Sequence, residues 1–251
     1  MTRLRQVSEA DIYHVVSRGT GKQLIYEDDD DRRVFLHLLR TSLSETGVEL
    51  FAWCLMGNHF HLLLHGDITR ISKCMQKLCS SYARWFNEKA GRVGHLFQDR
   101  FYSEPINSDS YLLTVVRYIH DNPEKGHIAP TNAYPWSSYR EYVRKPRLCT
   151  TAFVLSVFGG QKAFCDFHEK PDTLDAYTKA DEVRAEFRLM SDIDFVNAAQ
   201  QIVKNVPLSN IKMLTKRQRN DCIRTLRKAG FSVRQIERLT GIGRNIIARA
   251  K

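Results

Sequence analysis

Residues 48–66 read VELFAWCLMGNHFHLLLHG, two apolar runs joined by Gly57-Asn58. A two-residue connection containing glycine predicts a tight β-hairpin. On a strand, side chains alternate between faces with a period of two. Phe60, Leu62 and Leu64 therefore share a face that the pattern buries under helices, while His59 and His61 share the other and point outward. Two imidazoles so placed can converge on one cation. An H-x-H pair also recurs by chance, and two histidines on a solvated sheet face need do nothing, so the pair alone does not decide.

The flanking sequence extends the hairpin into a sheet. YHVVSRG (13–19) is β-branched, bounded by glycine and reads as a strand. EDDDDRRVFLHLLRTSLSET (27–46) opens on carboxylates, which suit the exposed N–H groups and positive dipole end of a helix N-terminus. ITRISKCMQKLCSSYARWFNEKAG (68–91) places apolar residues at 71, 75, 78, 82, 85 and 86 and stops at a glycine, an amphipathic helix. HLFQDRFYSEPI (95–106) reads as extended, and SDSYLLTVVRYIHDNP (108–123) as a helix from a Ser/Asp cap to a proline stop. The order β-α-β-β-α-β-α predicts an α+β fold: a ferredoxin-like split βαβ antiparallel sheet with helices on one face. YPWSSYREYV (134–143) closes this unit, giving a first domain over 1–145 and a helical linker region over 146–205.

Composition narrows the class. The chain of 251 residues is 43% hydrophobic and 10% aromatic, which describes a globular protein. No apolar stretch approaches the roughly 20 residues that span a bilayer, and MTRLRQVSEADIY lacks the apolar core of a secretory signal. Cys54, Cys74, Cys79, Cys149, Cys165 and Cys222 form no C-x-x-C pair. Reduced thiols, no metal cluster among them and a cytoplasmic location are expected.

The formal net charge of +10 points to a polyanionic partner. Residues 212–251 hold twelve Lys or Arg against Asp221 and Glu237, so the whole excess sits in the last 40 residues. LTKRQRNDCIRTLRKAGFSVRQIERLTGIGRNIIARAK (214–251) divides into a helix to Ala229, a Gly230 break, a short helix over 232–239 capped by Ser232, a T-G-I-G turn and a last helix. This is helix-turn-helix spacing, and it predicts an all-α DNA-binding region over 206–251. Arg234, Arg244, Asn245 and Arg249 are its candidates for reaching phosphates or base edges. A merely basic, solvated helical surface is the plainer alternative.

A second constellation lies in VVRYIHDNPEK, where Tyr118 and Asn122 are four residues apart on one helical face. A phenol beside an amide oxygen offers a nucleophile and a third metal ligand together. Tyr118 as an amphipathic anchor and Asn122 as a C-terminal cap are the structural alternatives. Tyr111, seven residues earlier, competes as nucleophile, as does Tyr82, although SSYARWF reads as core helix.

The set YHVVSRG, LMGNHFHLLLH, GHLFQDRF, RYIHDNPEKG and WSSYREY, in that order over residues 12–143, resembles the single-tyrosine HUH transposases. Within them it is most similar to the REP-associated tyrosine transposases, which process palindromic DNA elements. The resemblance implies that His59 and His61 are metal ligands, Tyr118 the nucleophile and Asn122 a further polar residue of the metal site. It also implies Mg2+ or Mn2+ as cofactor, single-stranded hairpin-forming DNA as substrate, a 5′-phosphotyrosine intermediate and activity as a monomer or homodimer. Gly57 departs from the proline that relatives often carry in the hairpin turn. Arg18, Arg84, Arg92 and Arg100 are candidates for gripping the DNA backbone, each equally readable as a surface arginine. Two rival classes stand beside this reading: a domesticated regulator using only the helix-turn-helix, and a histidine phosphoesterase, which requires a second H-x-[ST] motif that the chain lacks.

Overall fold

A computed structural model describes residues 6–170, 192–204, 206–229, 231 and 233–250. Four strands, β1 (Ile12–Arg18), β2 (Glu49–Leu55), β3 (His59–His65) and β4 (Tyr102–Ile106), form one sheet in the order β2-β3-β1-β4. All three pairings are antiparallel. Helix α1 (Asp29–Thr46) links β1 to β2, α2 (Ile68–Lys89) links β3 to β4, and α3 (Asp109–Lys125) follows β4. Each of the first two helices crosses over one intervening strand, the split βαβ arrangement.

Local chemistry explains the elements. Asp28 caps α1, its carboxylate accepting from Asp31 N at 2.9 Å, and Asp31 returns the bond to Asp28 N at 3.3 Å. Lys89, at the end of α2, pairs with both carboxylates and ties the start of one helix to the end of the next. Asp67 caps α2, whose buried stripe of Ile71, Met75, Leu78, Tyr82 and Phe86 keeps helical spacing. The hairpin closes over Gly57-Asn58, with Met56 N donating to His59 O at 2.9 Å.

The sheet is covered on both faces, not on one as the alternation had implied. Tyr13, Val15, Leu50, Leu55, Phe60, Leu62 and Leu64 pack under α1 and α2. Ile12, Phe51, Ala52, Cys54, Leu63 and Ile106 pack against α3 and three further helices, α4 (Tyr139–Val143), α5 (Thr151–Phe158) and α6 (Gln161–Glu169). The physical reason is in β2, which has apolar side chains on both faces and a register shift between Leu50 and Ala52. A strand of that kind has to be buried twice. The same residues overturn the outward placement of the histidines, since their face is the floor of a second core.

Two boundaries also differ from the sequence expectation. Only Tyr102–Ile106 of the 95–106 stretch is strand; Phe97 forms an isolated bridge to Gly19 at the end of β1. Helix α3 runs through Pro123 to Lys125. Proline so near a helix end forfeits a single backbone bond, and its carbonyl still accepts from Ile128 N at 2.8 Å. The stretch 136–138 lies along the outer edge of β2, where Leu55 N donates to Trp136 O and Ser138 N to Trp53 O, both at 2.9 Å. That covers an otherwise open sheet edge.

The C-terminal helices α7 (Asp192–Val203), α8 (Lys216–Lys228), α9 (Val233–Thr240) and α10 (Arg244–Arg249) gather around their own core of Ile211, Ile223, Leu226, Ile236, Ile242 and Ile247. Gly241, at φ +65°, turns the chain between α9 and α10. Gly230 and Ser232 lie outside the described residues. No helix among the described residues is long and apolar enough to cross a membrane.

Candidate functional site

The α3 face of the sheet carries a cluster of rings. Along β3 this face presents His59, His61 and Leu63; on β1 it presents Ile12, His14, Val16 and Arg18, with Val16 opposite His61 and Arg18 opposite His59. The His59 and His61 rings stand edge to face, with centroids 5.0 Å apart at 82°. Tyr118 descends from α3 onto them, its ring perpendicular to His61 at 5.4 Å. The predicted nucleophile and the predicted ligand pair, 57 residues apart at the nearest, therefore occupy one site. Tyr118 is 9% exposed, at the margin of the core that α3 closes.

His59 is positioned by its turn. Asn58 is buried, and its amide nitrogen donates to Lys22 O at 3.2 Å, so its Oδ1 faces His59 Nδ1 at 2.6 Å and must accept. The proton of His59 then sits on Nδ1 and the lone pair on Nε2. Burial, and then the Arg18 guanidinium across the strand pair, pull the His59 pKa down to about 3, which keeps the ring neutral and able to ligate. His61 is 4% exposed, and its Nδ1 lies 3.0 Å from Nε2 of His14. Burial lowers His14 to a pKa of about 4. Both rings of the H-x-H pair are thus held through Nδ1, the arrangement that offers Nε2 to a cation. Among the described residues no group of three His, Cys, Asp or Glu side chains comes together to hold a metal. The two neutral imidazoles are the donors that this face presents, and such a pair fits a divalent cation whose other positions are taken by oxygen ligands.

Asn122 lies one turn beyond Tyr118, and its amide nitrogen donates to Tyr118 O at 2.9 Å. Its nitrogen is thereby committed to its own helix. Lys125 places Nζ 5.8 Å from the centre of the Tyr118 ring. Of the two competing tyrosines, Tyr82 is fully buried under α1 and α2 on the opposite face and donates to Ile25 O, while Tyr111 donates to Glu104 Oε1 at 2.7 Å, Glu104 being the residue opposite His14 on β4.

Of the arginines, Arg18 alone borders the histidines. Arg84 is exposed on α2, which packs on the opposite face. Arg92 is half-buried, pairs with Gln23 and lies 5.9 Å from the Phe86 ring. Arg100 is exposed and lines a cavity of about 700 Å³ between α2 and residues 94–101. In the C-terminal helices, Arg244 pairs with Glu237 at 2.5 Å, while Asn245 and Arg249 are exposed on α10. Arg234 lies outside the residues whose side chains are described.

Sequence reading missed His14 and Asn58. Asn58 sat in the hairpin turn and read as turn chemistry alone. His14 is the one polar residue inside YHVV, and its relation to His61 depends on the β1–β3 register, which a single strand does not reveal.

Residues 8–122 match the family model described as Transposase IS200 like. Among solved structures, the chain is similar to a REP-associated tyrosine transposase bound to a REP hairpin, at 17% identity and a TM-score of 0.44, covering 58% of this chain and 87% of that one. It is also similar to a putative transposase from Deinococcus radiodurans R1, at 19% identity and a TM-score of 0.34, covering 48% and 97%. No curated protein matches. The matched residues 8–122, which hold His59, His61, Tyr118 and Asn122, are thus similar to the IS200-like transposase family.

Proposed function

We propose that the chain is a metal-dependent single-strand DNA endonuclease and strand transferase acting on hairpin-forming elements through Tyr118. The observation that carries this is the ring of Tyr118 standing against His61, with His59 beside it. His59 and His61 would hold Mg2+ or Mn2+, with Asn122 as a further polar ligand. When bound, the cation would supply Lewis-acid polarisation of the scissile phosphate and offset charge that develops on it.

The chain's own groups do the rest. Asn58 holds the His59 ring in its ligating tautomer. Tyrosine has a pKa near ~10 and is a weak nucleophile at neutral pH; polarisation of the phosphate that Tyr118 attacks offsets that weakness. Tyr118 Oη forms a bond to phosphorus as the P–O3′ bond breaks. The phenol gives up its proton, the 3′ oxygen gains one, and the products are a 5′-phosphotyrosine and a free 3′-OH. One phosphodiester replaces another, so a second 3′-OH can reverse the step and join strands without an external energy source.

In this reading residues 1–145 form the catalytic domain; of the expected connection over 146–205, α5 and α6 pack on the sheet of that domain, α7 joins the C-terminal core, and residues 171–191 and 205 lie outside the described residues. Residues 206–251 form a helix-turn-helix that holds DNA through the exposed Asn245 and Arg249, with Arg234 and Arg244 beside them. Tyr118→Phe tests the assignment: on a labelled hairpin oligonucleotide with Mn2+, it should form no covalent adduct on a denaturing gel while still binding the hairpin. An adduct with the phenylalanine variant would place the nucleophile elsewhere.

A further inference from the structure

The histidine that sequence reading passed over, His14, places Nε2 3.0 Å from His61 Nδ1 and is itself 4% exposed. We propose that His14 is a positioning residue that fixes the tautomer and ring plane of His61, so that His61 presents Nε2 as its ligating nitrogen. This inference rests on reading His59 and His61 as the metal pair.

The argument runs through the ring nitrogens. His61 Nδ1 lies 3.0 Å from His14 Nε2, so Nδ1 is occupied and only Nε2 of His61 is left for a metal. In a neutral imidazole, a lone pair on Nε2 requires the proton on Nδ1. That proton is donated to His14 Nε2, which must accept, and His14 then carries its own proton on Nδ1. The opposite assignment, with His14 donating, would put the proton of neutral His61 on Nε2 and block ligation. His59 is held in the same sense through a different partner, Asn58 Oδ1 at 2.6 Å. The two ligands are thus anchored alike by two unrelated residues.

Geometry also limits His14 to this role. Its Nε2 is already engaged, and no three donor side chains converge among the described residues, so His14 is not a third ligand. Its ring is nearly parallel to that of His61, 17° apart with centroids at 5.2 Å, which together with the 3.0 Å nitrogen contact sets the two rings side by side in almost one plane, and the Tyr118 ring stands across both, at 5.7 Å and 78° for His14. The in-plane contact holds the His61 ring plane beside Tyr118. β1 supplies the residue because His14, opposite Leu63, is a diagonal neighbour of His61 on the same face.

The test compares His14→Gln, whose amide oxygen can accept near the position of Nε2, with His14→Leu, which cannot accept. All measurements use the full chain. Nitrogen-15 NMR of the metal-free wild type should show His61 protonated on Nδ1. Mn2+ titration followed by electron paramagnetic resonance should show H14L binding on the order of 10–100-fold more weakly and H14Q restoring most of the loss. A purely structural histidine would lower thermal stability in both variants without this split. A wild-type His61 protonated on Nε2, or H14L binding Mn2+ as tightly as wild type, overturns the proposal. If H14L does not fold, the wild-type tautomer decides alone. Wild type failing to bind Mn2+ would sink the metal reading and this inference together, whereas wild type binding with H14L unimpaired sinks only the inference.

Discussion

On one face of β3, Phe60, Leu62 and Leu64 are fully buried among hydrocarbon from α1 and α2. On the other, His59, His61 and Leu63 share a face with His14 and Glu104, and α3 on that side buries its own polar groups, Arg117, His120 and Asp121. Seven residues thus serve two interiors of opposite chemistry. The hydrocarbon side needs only complementary volume. The α3 side needs each polar group matched, because an unmatched buried donor or acceptor costs about 1–3 kcal/mol. His14 with His61, Asn58 with His59, and Arg117 with Asp121 at 3.1 Å are such matches. Stability and chemistry should therefore separate by face.

The sharpest way to break that separation is a pair of substitutions one residue apart. His61→Ala should lower Mn2+-dependent cleavage of a hairpin oligonucleotide by at least about 100-fold. Its cost in stability should stay near that of one lost buried hydrogen bond. Phe60→Ala should do the reverse. Its ring lies 4.8 Å from that of Phe35 and is fully buried, so truncation should cost about 3–5 kcal/mol in urea unfolding. Cleavage per folded molecule should be unchanged. Equal losses of cleavage in both variants, after correction for the folded fraction, would mean that the faces are not separable.

How much of this was legible follows the same division. The hydrocarbon face was written in local periods: Phe60-x-Leu62-x-Leu64 at period two and the stripe from Ile71 to Phe86 at helical spacing. The histidine pair and Tyr118 were legible as residues, and family resemblance joined them. The second core was not read, although Leu63 between two core leucines and the unalternating ELFAWCL announced a strand buried twice. His14 and Asn58 act through cross-strand register and turn contacts, which no periodicity encodes. Pro123 read as a stop because the rule concerns helix interiors, and α3 had only two residues left to run.

A second effect, smaller than those substitutions, should appear with pH and come from the α3 side. His120 is fully buried, its Nδ1 3.1 Å from His168 Nε2 and its Nε2 2.8 Å from Ser138 Oγ, joining α3 to α6 and the 138 turn. Burial holds His120 well below the usual histidine range and His168 at about 4. Both are neutral in the folded chain at pH 5, whereas in the unfolded chain they titrate near ~6.5. Below that value the unfolded state takes up protons that the folded state refuses. The stabilisation is complete above about 6.5 and is lost as pH falls toward 4, at a rate on the order of 1 kcal/mol per pH unit. His168→Phe should be less stable than wild type at pH 7 yet show a shallower decline in urea midpoint between pH 6.5 and 4.5. A decline as steep as wild type would place the acid sensitivity elsewhere.

The smallest effect expected belongs to the C-terminal helices, where interior and surface chemistry separate again. Ile223, Ile236 and Ile247 are buried in an apolar core, while Asn245 and Arg249 stand exposed on α10. The charge excess of the whole chain lies in this segment, apart from the histidine site. If Arg249 meets a DNA phosphate, Arg249→Ala removes one released counterion. The slope of log affinity against log salt should then become shallower by about one. Hairpin cleavage at saturating protein should be unaltered, because Arg249 takes no part in the chemistry of Tyr118. Asn245→Ala should instead leave the salt slope alone and, if the residue meets a base edge, cost about 1–3 kcal/mol for one sequence over another. An unchanged salt slope with the arginine variant would return α10 to a solvated helix that happens to be basic.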